Sequence, residues 1–131
     1  MKNAGAGVNR ILVVEDEPAI GQLCLRVLTG GGFEVDIAVN GKVAQALLGE
    51  KKYDLCLIDI RIPLMPGKEL YQWLEEKHPK LASRVLFTTG DVTVGDTHAF
   101  LELAGRPFLP KPFTPAQLKD IVGETLSQIG K

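Results

Sequence analysis

The chain of 131 residues has only two cysteines, Cys24 and Cys56. Two thiols cannot build a disulfide framework. Both lie inside apolar runs, which predicts reduced, buried side chains of the kind found in cytoplasmic proteins. No apolar stretch approaches the roughly 20 residues of a membrane span, so no membrane insertion is expected. Met1 to Arg10 contains a lysine but no apolar core, so no signal peptide is expected there. An excess of one charge is also lacking: 15 basic residues against 16 acidic leave a net charge of -1. Without a broad cationic surface, direct nucleic-acid binding is not expected. No internal repeat, low-complexity tract, interdomain linker, GxGxxG or P-loop occurs. What remains is an ordinary globular balance, 45% hydrophobic and 24% charged, at a length that suits one domain.

Residues 1–9 are small and polar and read as a loose tail, leaving residues 10–131 as the domain. From Arg10 onward, short apolar runs alternate with segments of helical period. A first helix begins near Pro18, with Ile20, Leu23, Cys24, Val27 and Leu28 on one stripe, and Gly30-Gly31-Gly32 stops it. Val35, Ile37 and Val39 alternate as in a strand more exposed than its neighbours. A helix near Gly41–Gly49 presents Val43, Ala44, Leu47 and Leu48 to a sheet. A third carries Leu70, Trp73 and Leu74 inward and closes at His78-Pro79. Gly90 to Gly95 reads as a loop leading to a short helix around Thr97–Ala104. Phe108-Leu109, bracketed by Pro107 and Pro110, belongs at a sheet edge because proline removes a ladder donor. Thr114-Pro115 opens a last helix with Leu118, Ile121, Val122, Leu126 and Ile129 inward. Five β/α units of these lengths fit a doubly wound parallel sheet.

Functional side chains fall at the tails of four apolar runs. Ile11 to Val14 ends in Glu15-Asp16, Leu55 to Ile58 ends in Asp59, Val85 to Phe87 ends in Thr88-Thr89, and Phe108-Leu109 leads through Pro110 to Lys111. In parallel strands these tails share one sheet edge, where open α/β sheets bind ligands. Three carboxylates, a hydroxyl and an ammonium gathered there suit a divalent cation and a phosphoryl group. With strand order 2-1-3-4-5, Glu15-Asp16 and Asp59 would face each other where the winding reverses. Periodicity alone does not rank that order against other doubly wound sheets.

Four signals in order carry a family resemblance: Val14-Glu15-Asp16-Glu17, Asp59 to Pro63 with Gly67, Thr89-Gly90, and Lys111-Pro112-Phe113. Together they resemble the receiver domain of two-component response regulators, over about Arg10 to Ile129. The resemblance implies a flavodoxin-like (βα)5 fold in three α/β/α layers with the order 2-1-3-4-5. It makes Asp59 the phosphorylation site. Mg²⁺ would be held by Asp16, Asp59 and the Arg61 carbonyl, with Glu15 acting through water. Glu15 stands where aspartate is the commoner family choice.

Lys111 would meet a phosphoryl oxygen, and before phosphorylation it can pair with Asp59. The Lys111-Pro112 bond resembles the family's cis peptide. Thr89 is the expected switch hydroxyl, with Thr88 as competitor, because the small residue Gly90 follows Thr89. Gly90 leaves space beside the phosphoryl group, Pro63 and Gly67 shape the loop after Asp59, and Phe108 resembles the switch aromatic. The implied partners are a sensor histidine kinase or histidine phosphotransfer protein as donor and a downstream protein bound by the fourth-helix, fifth-strand and fifth-helix face, with a homodimer also open.

Two other classes compete. A Mg²⁺-dependent phosphohydrolase of haloacid dehalogenase type wants a second acid two positions after the nucleophile, where this chain has Arg61. A flavin carrier wants a Ser/Thr/Gly-rich phosphate loop after the first strand, where Glu15-Asp16-Glu17 would repel phosphate. Gly105 to Phe113 also resembles terminal receivers of hybrid histidine kinases, so a single-domain regulator and a receiver from a longer protein both stay open. Glu17 reads as an acid on a solvated edge. His78 and His98 read as ordinary helix residues, and Trp73 as packing.

Overall fold

The computed structural model describes residues 9–90 and 95–129, without the side chains of residues 95, 96, 128 and 129. Most of the expected tail and the tip of the loop after Gly90 lie outside the described residues, as does the Ile129 side chain. Five parallel strands form one sheet: β1 (Arg10–Val14), β2 (Glu34–Ala38), β3 (Leu55–Asp59), β4 (Val85–Thr89) and β5 (Phe108–Pro110). Their order is β2-β1-β3-β4-β5. The helices are α1 (Pro18–Gly30), α2 (Gly41–Glu50), α3 (Gly67–Lys77), α4 (Pro79–Ala82), α5 (Gly95–Ala104) and α6 (Pro115–Ile129).

The three inner strands are apolar on both faces because helices cover both. On one face Ile11, Val13, Leu55, Leu57, Leu86 and Leu109 pack with Cys24 and Leu28 of α1 and Leu118 and Val122 of α6. On the other, Leu12, Val14, Cys56, Ile58, Val85 and Phe87 meet α2 through α5. A T-shaped trio of Phe87, Tyr71 and Phe100 joins the sheet to α3 and α5 on that side. The edge strand β2 runs from exposed Glu34 through three half-buried residues to buried Ala38, more exposed than its neighbours as expected. Val39, read as part of its alternation, lies past its end and is exposed. Asn9, assigned to the tail from sequence, accepts a hydrogen bond from the Glu34 N–H at 3.0 Å and so extends the β1 pairing.

Two expectations change. His78-Pro79 does not lead straight to β4, because a one-turn helix, α4, intervenes with Pro79 in its first turn. Proline has no N–H to donate there and its fixed φ suits a helix start, so the residue that ends α3 also begins α4. Val43 does not face the sheet and is exposed, while Ala44 and Leu48 are buried. The frame is set at Asn40, whose Oδ1 accepts from the Val43 N–H at 2.9 Å and caps α2. That cap places Val43 in the first turn on the open side.

Candidate functional site

Each acidic side chain is delivered by the end of a strand. The Glu15 N–H donates to the Ala38 carbonyl at 2.9 Å, carrying the β1–β2 pairing one residue past Val14. Asp59 is the last residue of β3 and lies beside Thr88 of β4. The chain is then pinned by the Ile60 N–H on the Thr88 carbonyl at 3.0 Å. The Arg61 N–H turns back onto Asp59 Oδ1 at 3.0 Å, a local side-chain turn that fixes the carboxylate plane. Gly67 closes the loop, donating to the Ile60 carbonyl at 2.9 Å. A Cβ at Gly67 would lie 2.6 Å from the Asp59 carbonyl oxygen, so only glycine permits this approach. Pro63 accepts from the Met65 N–H within the same loop, where Leu64 adopts a φ of 69°.

Lys111 arrives from the far edge. Its N–H donates to the Thr89 carbonyl at 2.8 Å, and the Lys111-Pro112 bond is cis. The ammonium lies 2.8 Å from Asp59 Oδ2, 2.9 Å from Glu15 Oε1 and 3.3 Å from Glu17 Oε1. An ammonium has three donors, so three carboxylates can use all of them. Burial works against the charged lysine, but the hydrogen bonds to Asp59 and Glu15 outweigh it and hold the ammonium well above its ordinary value. Burial pushes Glu15 up. The pull of Lys111 and the Glu17 amide does not fully offset it, and the nearby Asp59 charge adds to the rise.

Glu15, Asp16 and Asp59 each offer an oxygen within 4.8 Å of the others. This all-oxygen set fits Mg²⁺, a hard cation that uses a few carboxylates and keeps several waters. Each carboxylate accepts at more than one lone pair, so contact with Lys111 leaves room for a metal. Asp16 is exposed and faces solvent at the mouth, whereas Glu15 and Asp59 are buried.

Thr88 and Thr89 are both buried at the end of β4. Alternation puts Thr88 on the side of Leu86, toward α1 and α6, and Thr89 on the side of Phe87, toward α3 and α5. The preference for Thr89 as the hydroxyl therefore still rests on the family pattern. Gly90 has the Lys111 Cβ at 4.0 Å from where its own Cβ would be, so a methyl there would make an ordinary contact. Phe108 starts β5 and is 39% exposed.

Glu17, expected as an acid on a solvated edge, instead joins the cluster around Lys111. It occupies the N-cap of α1 yet makes no side-chain cap hydrogen bond, and its carboxylate reaches Lys111 instead. A glutamate where Ser, Thr, Asp or Asn is favoured was the available signal. The remaining candidates are ordinary. His98 pairs with Glu102 on the exposed side of α5 at 3.1 Å, and His78 lies against Trp73. Cys24 and Cys56 are free and buried, and burial raises the Cys24 thiol to about 12. A cleft of about 560 Å³ lined by Leu48, Lys52, Tyr53, His78 and Arg84 lies at the opposite sheet edge, away from the carboxylates.

Known proteins resemble this chain in sequence and fold. Residues 11–123 match the family model described as the response regulator receiver domain. The response regulator protein PilR of Pseudomonas aeruginosa is 32% identical over 118 residues, covering 89% of this chain and 26% of that protein. The transcriptional activator protein IrlR of Burkholderia pseudomallei is 34% identical over 109 residues, covering 83% of this chain and 46% of that protein. The chain thus spans between a quarter and half of these relatives.

A CheY-like receiver domain protein from Methanospirillum hungatei superposes with a TM-score of 0.85 at 28% identity, covering 95% of this chain and 98% of that one. The receiver domain of a Pseudomonas aeruginosa sensor histidine kinase, solved with magnesium in its active-site cleft, gives a TM-score of 0.80 at 26% identity over 95% of this chain and all of that one. With the family model spanning nearly the whole described chain and the sheet order it entails in place, the protein belongs to the response regulator receiver domain family.

Proposed function

We propose that this chain is a phosphoacceptor switch in which Asp59 takes a phosphoryl group from a phosphohistidine. One observation carries the reading: Lys111 Nζ lies 2.8 Å from Asp59 Oδ2 inside a cluster of oxygens from two strand ends. An Asp59 oxygen attacks phosphorus, the P–N bond breaks, and the imidazole leaves and regains a proton from solvent. Glu15, Asp16, Asp59 and the Arg61 carbonyl would hold Mg²⁺. When bound, the cation neutralises charge on the phosphoryl oxygens and the attacking carboxylate. Lys111 then exchanges a carboxylate for a phosphoryl oxygen, and the Thr89 hydroxyl donates to another. Gly90 leaves the approach open for donor and water, and water attack on the acyl phosphate resets the site. The chain thus promotes its own modification and dephosphorylation without an external turnover substrate.

The readout is a change of surface. As Thr89 is drawn to the phosphoryl group, the exposed Phe108 ring turns inward, and the face made by α5, β5 and α6 changes shape for a downstream protein or a second copy. Phosphorylation supplies charge and acceptor oxygens, and the loop after β4 converts them into a new binding face. The donor is a sensor histidine kinase or histidine phosphotransfer protein, and this chain meets it in the cytoplasm. The chain acts as a single-domain regulator or as the receiver of a longer hybrid kinase. Acetyl phosphate with Mg²⁺ is expected to add one phosphoryl group, and EDTA or Asp59→Asn to abolish it. Steady turnover of small phosphoesters would favour the phosphohydrolase reading instead.

A further inference from the structure

We propose that Glu17 is a positioning residue that restrains Lys111 and slows phosphoryl uptake, an inference that rests on the phosphoacceptor reading above. Of the three carboxylates around the ammonium, two come from the metal-type cluster of Glu15, Asp16 and Asp59. The third, Glu17 Oε1 at 3.3 Å, lies outside that cluster. It reaches the lysine from the start of α1, 94 residues away in sequence.

Its geometry is set by its own backbone. The Glu17 N–H donates to Glu15 Oε2 at 3.1 Å, and its carbonyl accepts from the Gly21 N–H at 2.9 Å. The residue is thus locked at the helix start with its side chain uncommitted to capping. An N-cap carboxylate ordinarily serves the first-turn amides. This one serves the lysine.

The consequence concerns the moment of transfer. An ammonium has three donors, and Asp59, Glu15 and Glu17 account for three acceptors. A phosphoryl oxygen must displace one of them to gain the lysine. Asp59 stays close as the attacking group, and Glu15 is fixed on a buried strand tail. Glu17, with its side chain 62% exposed, is the partner that can swing into solvent and yield its donor. It therefore competes with the incoming group for Lys111 without touching the reacting atoms.

The test measures the initial rate of Asp59 labelling in the full chain by acetyl phosphate and Mg²⁺. Glu17→Gln keeps the volume and weakens the pair, and is expected to label about twofold to fivefold faster, within the range of an exposed ion pair. Glu17→Asp keeps the charge but shortens the reach and suits the N-cap, so it is expected to behave like Glu17→Gln. The Glu17→Gln gain should vanish in a Lys111→Met background.

Three results would overturn the inference: an unchanged rate in Glu17→Gln, a Glu17→Asp rate equal to wild type, or a gain that survives Lys111→Met. The second would show that the charge acts through space rather than by contact. Wild-type protein that takes no Asp59-dependent label would overturn the phosphoacceptor reading and this inference together. Normal wild-type labelling with any of the three results removes the inference alone.

Discussion

A single methyl group at position 67 would meet the Asp59 carbonyl oxygen at 2.6 Å and the Ile60 Cα at 2.7 Å. Both obstacles are backbone, so neither can swing aside. Gly67→Ala is therefore expected to cost about 1–3 kcal/mol in urea unfolding, as overpacking does, and to lower phosphoryl uptake by shifting Asp59. An unchanged unfolding midpoint would mean that the loop relaxes freely. At this scale much was legible: Glu15, Asp16, Asp59 and Lys111 were named from their places at strand ends, and all four gather at one sheet edge. Glu17 was not legible in the same way. Its pairing depends on a lysine 94 residues distant, and no local pattern states where that side chain will lie. Thr89 shows a different limit, because alternation separates it from Thr88 without saying which one meets a phosphoryl oxygen.

The last helix shows how an element is fixed by its first residues. The Gln117 N–H donates to Thr114 Oγ1 at 3.1 Å, and the Thr114 N–H donates to Gln117 Oε1 at 2.8 Å. This reciprocal cap starts α6 just beyond Lys111 and the cis Pro112, and so steadies the segment that presents the lysine. Thr114→Ala is expected to destabilise the fold by about 1 kcal/mol, read from urea unfolding with an unchanged slope. No loss would show that packing of Leu118 and Val122 alone sets the helix start.

Element existence was clear from apolar period, and element boundaries less so. The turn α4 was invisible because four residues carry no periodicity, and Pro79 reads equally as a stop and a start. Val43 reads as inward from its spacing because a helical stripe depends on its first residue, and here the Asn40 cap sets that residue.

Across the whole molecule the charges nearly cancel, at -1 overall, yet Glu15, Asp16, Glu17 and Asp59 crowd one edge with Lys111 among them. Global composition averages that concentration away, and only the sheet order brings it into view. Strands β1 and β3 are neighbours while their connections run in opposite directions, so their tails open the crevice. The order came from family resemblance, since apolar periods specify strands but not which strands pair.

A cation binding these acids only in the folded state must raise global stability. At a concentration 100 times its Kd, Mg²⁺ should add about 2.7 kcal/mol. Thermal or urea unfolding with and without the ion checks this, and Asp16→Asn should remove most of the gain. Equal stability in Mg²⁺ and EDTA would contradict a metal site here.

The most direct measurement is peptide mass spectrometry of the chain after reaction with acetyl phosphate and Mg²⁺. A single phosphoryl group is expected on the peptide that contains Asp59. A phosphoryl group on Glu15 or Asp16 instead, or persistent labelling of Asp59→Asn, would contradict it.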